Sequence, residues 1–229
     1  MYLWKKLLLF LVIIMTSGCA GTAKPDRLIF WPSPPESPRI LFVKSYQSIA
    51  DFREPSFLDM LLGVPTSLVV SKPYGVYSDA GTVYITDSLG GGVAKFNREK
   101  QDLRFFRGDD NKLSQPLGVA VADETMFVSD GRAAMVFGFD KAGKTVVKIG
   151  EKGEFRVPAG IAINREKNRL YVVDSKLHKV LVFSLKGESL FSFGEQGTEE
   201  AQFVNPTNIA IDRRNGTVYV VDTLNCRVQ

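Results

Sequence analysis

The sequence is short of the residues that build metal centres and cross-links. Its 229 residues hold one histidine, His178, and two cysteines, Cys19 and Cys226. A metal site made of several histidine or cysteine ligands is therefore excluded within these residues, and so is a disulfide framework. Excess charge of one sign is scarce as well. Lysine and arginine number 29 against 25 acids, a formal +4 that falls to +2 once Lys5 and Lys6 are assigned to a cleaved leader. That balance argues against nucleic acid as a partner. There is no nucleophile elbow, no phosphate loop and no His-x-His cluster, so the motifs of common hydrolase and nucleotide chemistry are missing. What is present is globular material, 45% apolar and 24% charged, which is enough for one sizeable domain or two small ones.

The N-terminus reads as an address. Met1 to Lys6 form a short positive segment, and Leu7 to Met15 (LLLFLVIIM) form an unbroken apolar run of nine residues, followed by Thr16, Ser17, Gly18 and Cys19. As a helix that run reaches about 14 Å, half of a bilayer core, and cannot span as a mature anchor. Small residues before a cysteine resemble a bacterial lipobox, in which the thiol is lipidated and becomes the new N-terminus. The resemblance makes residues 1–18 the signal peptide and Cys19 the lipidation site, with the membrane as a partner through that lipid. Thr16 stands where the lipobox favours an aliphatic residue, so a plain secretory signal cut nearby is the alternative. Ala20, where an aspartate would retain the protein at the inner membrane, favours the outer membrane facing the periplasm. Residues 19–38 hold five of the eleven prolines and read as a semi-rigid tether or, equally, a leader without a spacing role.

Four segments then repeat: PYGVYSDAGTVYITD from Pro73, PLGVAVADETMFVSD from Pro116, PAGIAINREKNRLYVVD from Pro158 and PTNIAIDRRNGTVYVVD from Pro206. The prolines are 43, 42 and 48 residues apart. Each segment ends in an aspartate (Asp87, Asp130, Asp174, Asp222), and six residues beyond each lies a valine (Val93, Val136, Val180, Val228). Gly108, Gly150 and Gly194 close the first three copies. Within one copy the apolar residues fall into short runs, such as IAI, LYVV, VLVF and LFSF, separated by turn formers, which predicts four strands. Asn215-Gly216 predicts a two-residue hairpin turn. A sheet this small cannot bury both faces alone, and stacking copies around an axis solves that. The expected fold is therefore all-β, a β-propeller of four-stranded antiparallel blades, with units at 73–115, 116–157, 158–205 and 206–229, the last incomplete.

The pattern P-x-G-[VI]-A, then [LV]-[YF]-[VI]-x-D, then five residues and a valine resembles the NHL repeat over 73–229. With the lipobox and proline-rich arm, the chain is similar to bacterial NHL lipoproteins, which implies a six-bladed propeller. Asn208 departs from the glycines at 75, 118 and 160, which puts a tight turn in question there. The fourth copy ends early in its third strand, so the sequence reads as a partial ring with exposed apolar faces and a tendency to aggregate. Residues 39–72 are expected to supply a ring-closing strand (39–47) and a short apolar helix (56–63).

The repeated aspartates sit at one register, where a carboxylate accepts N–H groups of the next turn, and this is a structural reading. His178 and Cys226 share one slot of the repeat and could be imagined as a metal or redox pair; the simpler reading makes Cys226 an ordinary half-buried substitution. No cofactor is expected, although calcium held by carboxylates and carbonyls stays open. The residues named as a partner surface are Phe57, Leu61, Leu62, Lys179 and Arg227, with the apolar helix either packed on the propeller or docking a partner. The resemblance supports a membrane-anchored extracytoplasmic module binding a protein or saccharide. The alternatives are a metal-dependent lyase or lactone hydrolase with its site in the channel, and a purely structural role in envelope assembly.

Overall fold

The computed structural model describes residues 29–33, 35–42, 45, 61, 70–97, 99–100, 102–109, 113–150 and 152–229. Cys19, the leader and the segment 56–63 lie outside them, except for Leu61, which is exposed. The chain forms two compact units, Met1–Ser45 and Tyr46–Gln229. In the first, β1 (Phe30–Trp31) pairs antiparallel with β2 (Ile40–Leu41). Arg39 N–H donates to Trp31 C=O at 2.8 Å and Phe42 N–H to Ile29 C=O at 2.7 Å. Ile40 and Leu41, within the segment expected to be a strand (39–47), pair with Phe30–Trp31.

Among the described residues the second unit forms four antiparallel sheets. The first blade is β3 (Pro73–Asp79), β4 (Thr82–Asp87), β5 (Gly92–Asn97) and β6 (Asp102–Phe106). The second is β7 (Pro116–Ala122), β8 (Thr125–Asp130), β9 (Met135–Phe139) and β10 (Thr145–Ile149). The third is β11 (Pro158–Asn164), β12 (Arg169–Asp174), β13 (Lys179–Ser184) and β14 (Ser189–Phe193). The fourth has three described strands: β15 (Pro206–Ile211), β16 (Val218–Asp222) and β17 (Arg227–Val228).

Each blade opens with a proline, whose missing N–H costs nothing at the first position of an edge strand. That proline faces the conserved-register aspartate across the hairpin: Pro73 opposite Asp87, Pro116 opposite Asp130, Pro158 opposite Asp174, Pro206 opposite Asp222. An irregularity in register follows every one of these pairs. The first strands of successive blades lie side by side, β3 beside β7, β7 beside β11, β11 beside β15.

The core sits between blades, because alternate residues of each central strand point to opposite neighbours. In β8, Phe127 packs with Leu170, Val172 and Phe183 of the third blade, while Met126 and Val128 pack with Val93 of the first. In β12, Leu170 and Val172 face the second blade, and Tyr171 and Val173 join Ile209 and Val220 of the fourth. Both faces are apolar, hence the continuous runs MFV and LYVV.

The hairpins differ in length between blades. Ala80-Gly81 is a two-residue turn with φ of 44° and 74°. In the third and fourth blades two more residues enter: Asn164 pairs with Arg169 around a four-residue loop, and Asp212 N–H donates to Thr217 C=O at 2.9 Å. Asn215-Gly216 therefore closes a longer loop, not the two-residue turn its dipeptide predicts; Gly216 takes φ 74° and Asn215 accepts Thr217 N–H at 2.9 Å.

Candidate functional site

The four aspartates are fully buried. Asp130 accepts the N–H groups of Ser114 (2.6 Å) and Gln115 (3.0 Å), just before the blade's proline, and those of Arg132 (3.1 Å) and Ala133 (2.9 Å) in the following turn. Asp87 repeats this with Ser71, Lys72, Leu89 and Gly90, and Asp174 with Arg156, Val157, Lys176 and Leu177. Each carboxylate pins two loops at one end of its blade. Burial alone raises the Asp87 pKa, yet the four N–H groups outweigh it and hold the carboxyl below the usual range. Asp222 is used differently. It accepts from Val204 N–H at 2.7 Å, Asn225 Nδ2 at 2.8 Å, Arg227 Nε at 2.9 Å and Gln229 Nε2 at 3.2 Å. Burial again raises its pKa, and these donors lower it further than burial raises it.

Arg227 is thereby tied into its own blade, with a second nitrogen donating to Glu199 C=O at 2.6 Å and Gln202 C=O at 3.0 Å. Lys179, one slot earlier in the ring, is exposed at the start of β13. The structure does not bring them together as a basic stripe, since the matching residues are the buried Gly92 and the half-buried Met135.

His178 and Cys226 occupy a slot whose backbone is left-handed in all four blades: Gly91 φ 63°, Ala134 φ 53°, His178 φ 55°, Cys226 φ 50°. His178 Nδ1 accepts Asn205 N–H at 3.0 Å, and Cys226 is exposed, not half-buried. Gly91 was the sequence signal for this conformation. Among the described residues no three His, Cys, Asp or Glu side chains gather as a metal set.

Two features escaped the repeat pattern. Thr86 and Ser129, each just before an aspartate, accept the N–H of Gly75 (2.7 Å) and Gly118 (2.8 Å). Their hydroxyls then donate to the next blade, Thr86 to Leu117 C=O at 2.7 Å and Ser129 to Ala159 C=O. Valine replaces the hydroxyl at 173 and 221, and in the third blade Ser175 donates to Pro206 C=O at 2.8 Å instead. The glycines serve the same seam and no tight turn: a Cβ on Gly118 would stand 2.5 Å from Ala159 C=O, and one on Gly160 2.6 Å from Asn208 Cα. Strands of neighbouring blades approach too closely for a side chain there.

The first strands of the four blades line a cavity of about 340 Å³. At one end stand Tyr77 and Arg213, and beside it a second hollow of about 210 Å³ is lined by Arg165, Glu166, Asp212 and Arg213. Arg165 pairs with Asp79 at 2.8 Å, and the hydrogen bond its guanidinium donates to that carboxylate raises its pKa further above the ordinary value.

A family model described as a 6-bladed beta-propeller, DUF5128, matches residues 108–193, most of the second and third blades. The chain is a β-propeller. Among solved structures it is similar to the hydrazine synthase of Kuenenia stuttgartiensis, at 18% identity and TM-score 0.51 over 68% of this chain and 47% of that one. The Staphylococcus aureus virginiamycin B lyase gives 16% identity and TM-score 0.53 over 69% of this chain and 54% of that chain. The nidogen/laminin complex gives 16% and 0.53 over 66% and 56%. The chain spans about half the length of these structures. Among curated proteins none matches.

Proposed function

We propose that this propeller is a membrane-anchored extracytoplasmic module that binds a protein or saccharide partner. One observation carries the reading. The repeated carboxylates are consumed by their own loops, so the repeat builds a rigid frame and leaves recognition to the side chains at its ends and channel. The leader ending in Cys19 supports lipid anchoring at the envelope, with the outer membrane favoured by Ala20. That a propeller of similar fold occurs in a nidogen/laminin complex supports a protein partner. The purified full chain, tested on a glycan array and by photo-crosslinking in cells from a probe at Glu166, is expected to give a saccharide signal or a discrete protein adduct. Neither signal, together with a stoichiometric metal and turnover of activated lactones or esters, would overturn it.

That outcome would favour the second reading, a metal-dependent lyase or lactone hydrolase. Its support is the likeness in fold to virginiamycin B lyase and the presence of a channel.

A further inference from the structure

The charged side chains at the channel mouth are not all paired with one another. Arg165 is satisfied by Asp79 Oδ1 at 2.8 Å and by Val121 C=O at 3.0 Å. Asp212 is satisfied by Arg214, whose Nε and Nη2 lie 3.0 and 2.7 Å from its two oxygens. Arg213 has no carboxylate partner among the described residues: its one hydrogen bond there goes from Nη2 to the Tyr77 hydroxyl at 3.2 Å. Tyr77 is thereby fixed, since its own hydroxyl donates to Val121 C=O at 3.1 Å. A guanidinium carries five donors, so among the described residues most of the planar Arg213 fork is unused at the point where two hollows meet. Glu166 lines only the outer hollow. The inner one is lined by residues of the first strands, among them the exposed Tyr74 and Val76, and its volume of about 340 Å³ falls within the range of small-molecule sites.

We propose that this mouth binds the carboxylate of a small organic acid, held by the Arg213 fork beside Tyr77, with the neutral body of the ligand lying in the channel. The proposal rests on the reading of the propeller as a binding module and names its ligand chemistry. A sugar acid and the free C-terminus of a short peptide present the same group, and the test separates them.

The full chain is titrated calorimetrically with glucuronate and glucose, and with N-acetyl-Ala-Leu as the free acid and as the amide. At least one acid is expected to bind at least about tenfold more tightly than its neutral counterpart, and which acid does so identifies the source; about tenfold is 1.4 kcal/mol. Arg213→Gln should lose that preference with an unchanged melting temperature, whereas Lys186→Gln, which removes an exposed charge from the β13–β14 turn, should keep it. Tyr77→Phe, which leaves the cation in place, should weaken acid binding only a few-fold and serves if Arg213→Gln does not fold. Equal binding of acid and neutral forms, or an Arg213→Gln protein that binds like the parent, would overturn the proposal while leaving the module reading intact. Absence of binding by all four probes would overturn it too; a protein adduct from the crosslinking experiment would still support the module.

Discussion

A buried carboxylate without water must find donors from the chain, and Asp130 finds four N–H groups from two separate loops. Asp130→Ala would leave those four groups facing an apolar side chain. We expect a loss of at least about 3 kcal/mol, read as a lower urea midpoint with an unchanged slope. Asp87 and Asp222 have pKa values held below the ordinary carboxylate value, so their contribution is complete above the unfolded pKa of about 3.9 and disappears as pH falls through the lower folded values. An acid titration followed by near-ultraviolet circular dichroism should show stability declining only below about pH 4 to 5 through these groups. Ala134 holds φ 53° without being glycine. Ala134→Gly should raise the melting temperature, gaining up to about 1 kcal/mol. The turn N–H donors to the aspartates could be read from the register of the repeat. The donors preceding each proline could not, because they lie 15 to 18 residues earlier and only strand pairing brings them near.

At the scale of the element, a blade is legible when both its faces are covered. LYVV and MFV read as strands because neighbours on each side demand apolar residues. Loop length was less legible: Asn215-Gly216 has the composition of a tight hairpin, yet the two extra residues after Asp212 turn it into a four-residue loop matching that of Asn164 to Arg169. The seam between blades was invisible from one copy, since it joins a hydroxyl in one unit to a carbonyl about thirty residues later. Ser129→Val copies what Val173 does in the third blade but leaves Gly118 N–H unsatisfied. It should cost about 1–2 kcal/mol in denaturant unfolding. Gly118→Ala strikes the same seam by steric means and should cost about 1–3 kcal/mol.

Among the described residues of the second unit, burial follows the number of neighbouring blades. β7 is buried along its entire length, whereas β3 exposes Tyr74 and Val76, and the fourth blade exposes Tyr219, Leu224 and Val228. Val93, Val136 and Val180 are fully buried at the register where Val228 is 61% exposed. Hydrogen exchange should therefore be slowest in β8, β9, β12 and β13 and faster in the fourth blade. This framework, rigid in the middle and furnished with unspent side chains at its channel mouth, is what the proposed envelope module requires. The most direct test is the intact mass of the native protein recovered from membranes, alongside Cys19→Ala. The account predicts a chain beginning at Cys19 and carrying a lipid-sized increment, with the variant lacking that increment and leaving the membrane fraction. An unmodified Cys19 in a protein recovered from the soluble fraction would contradict it.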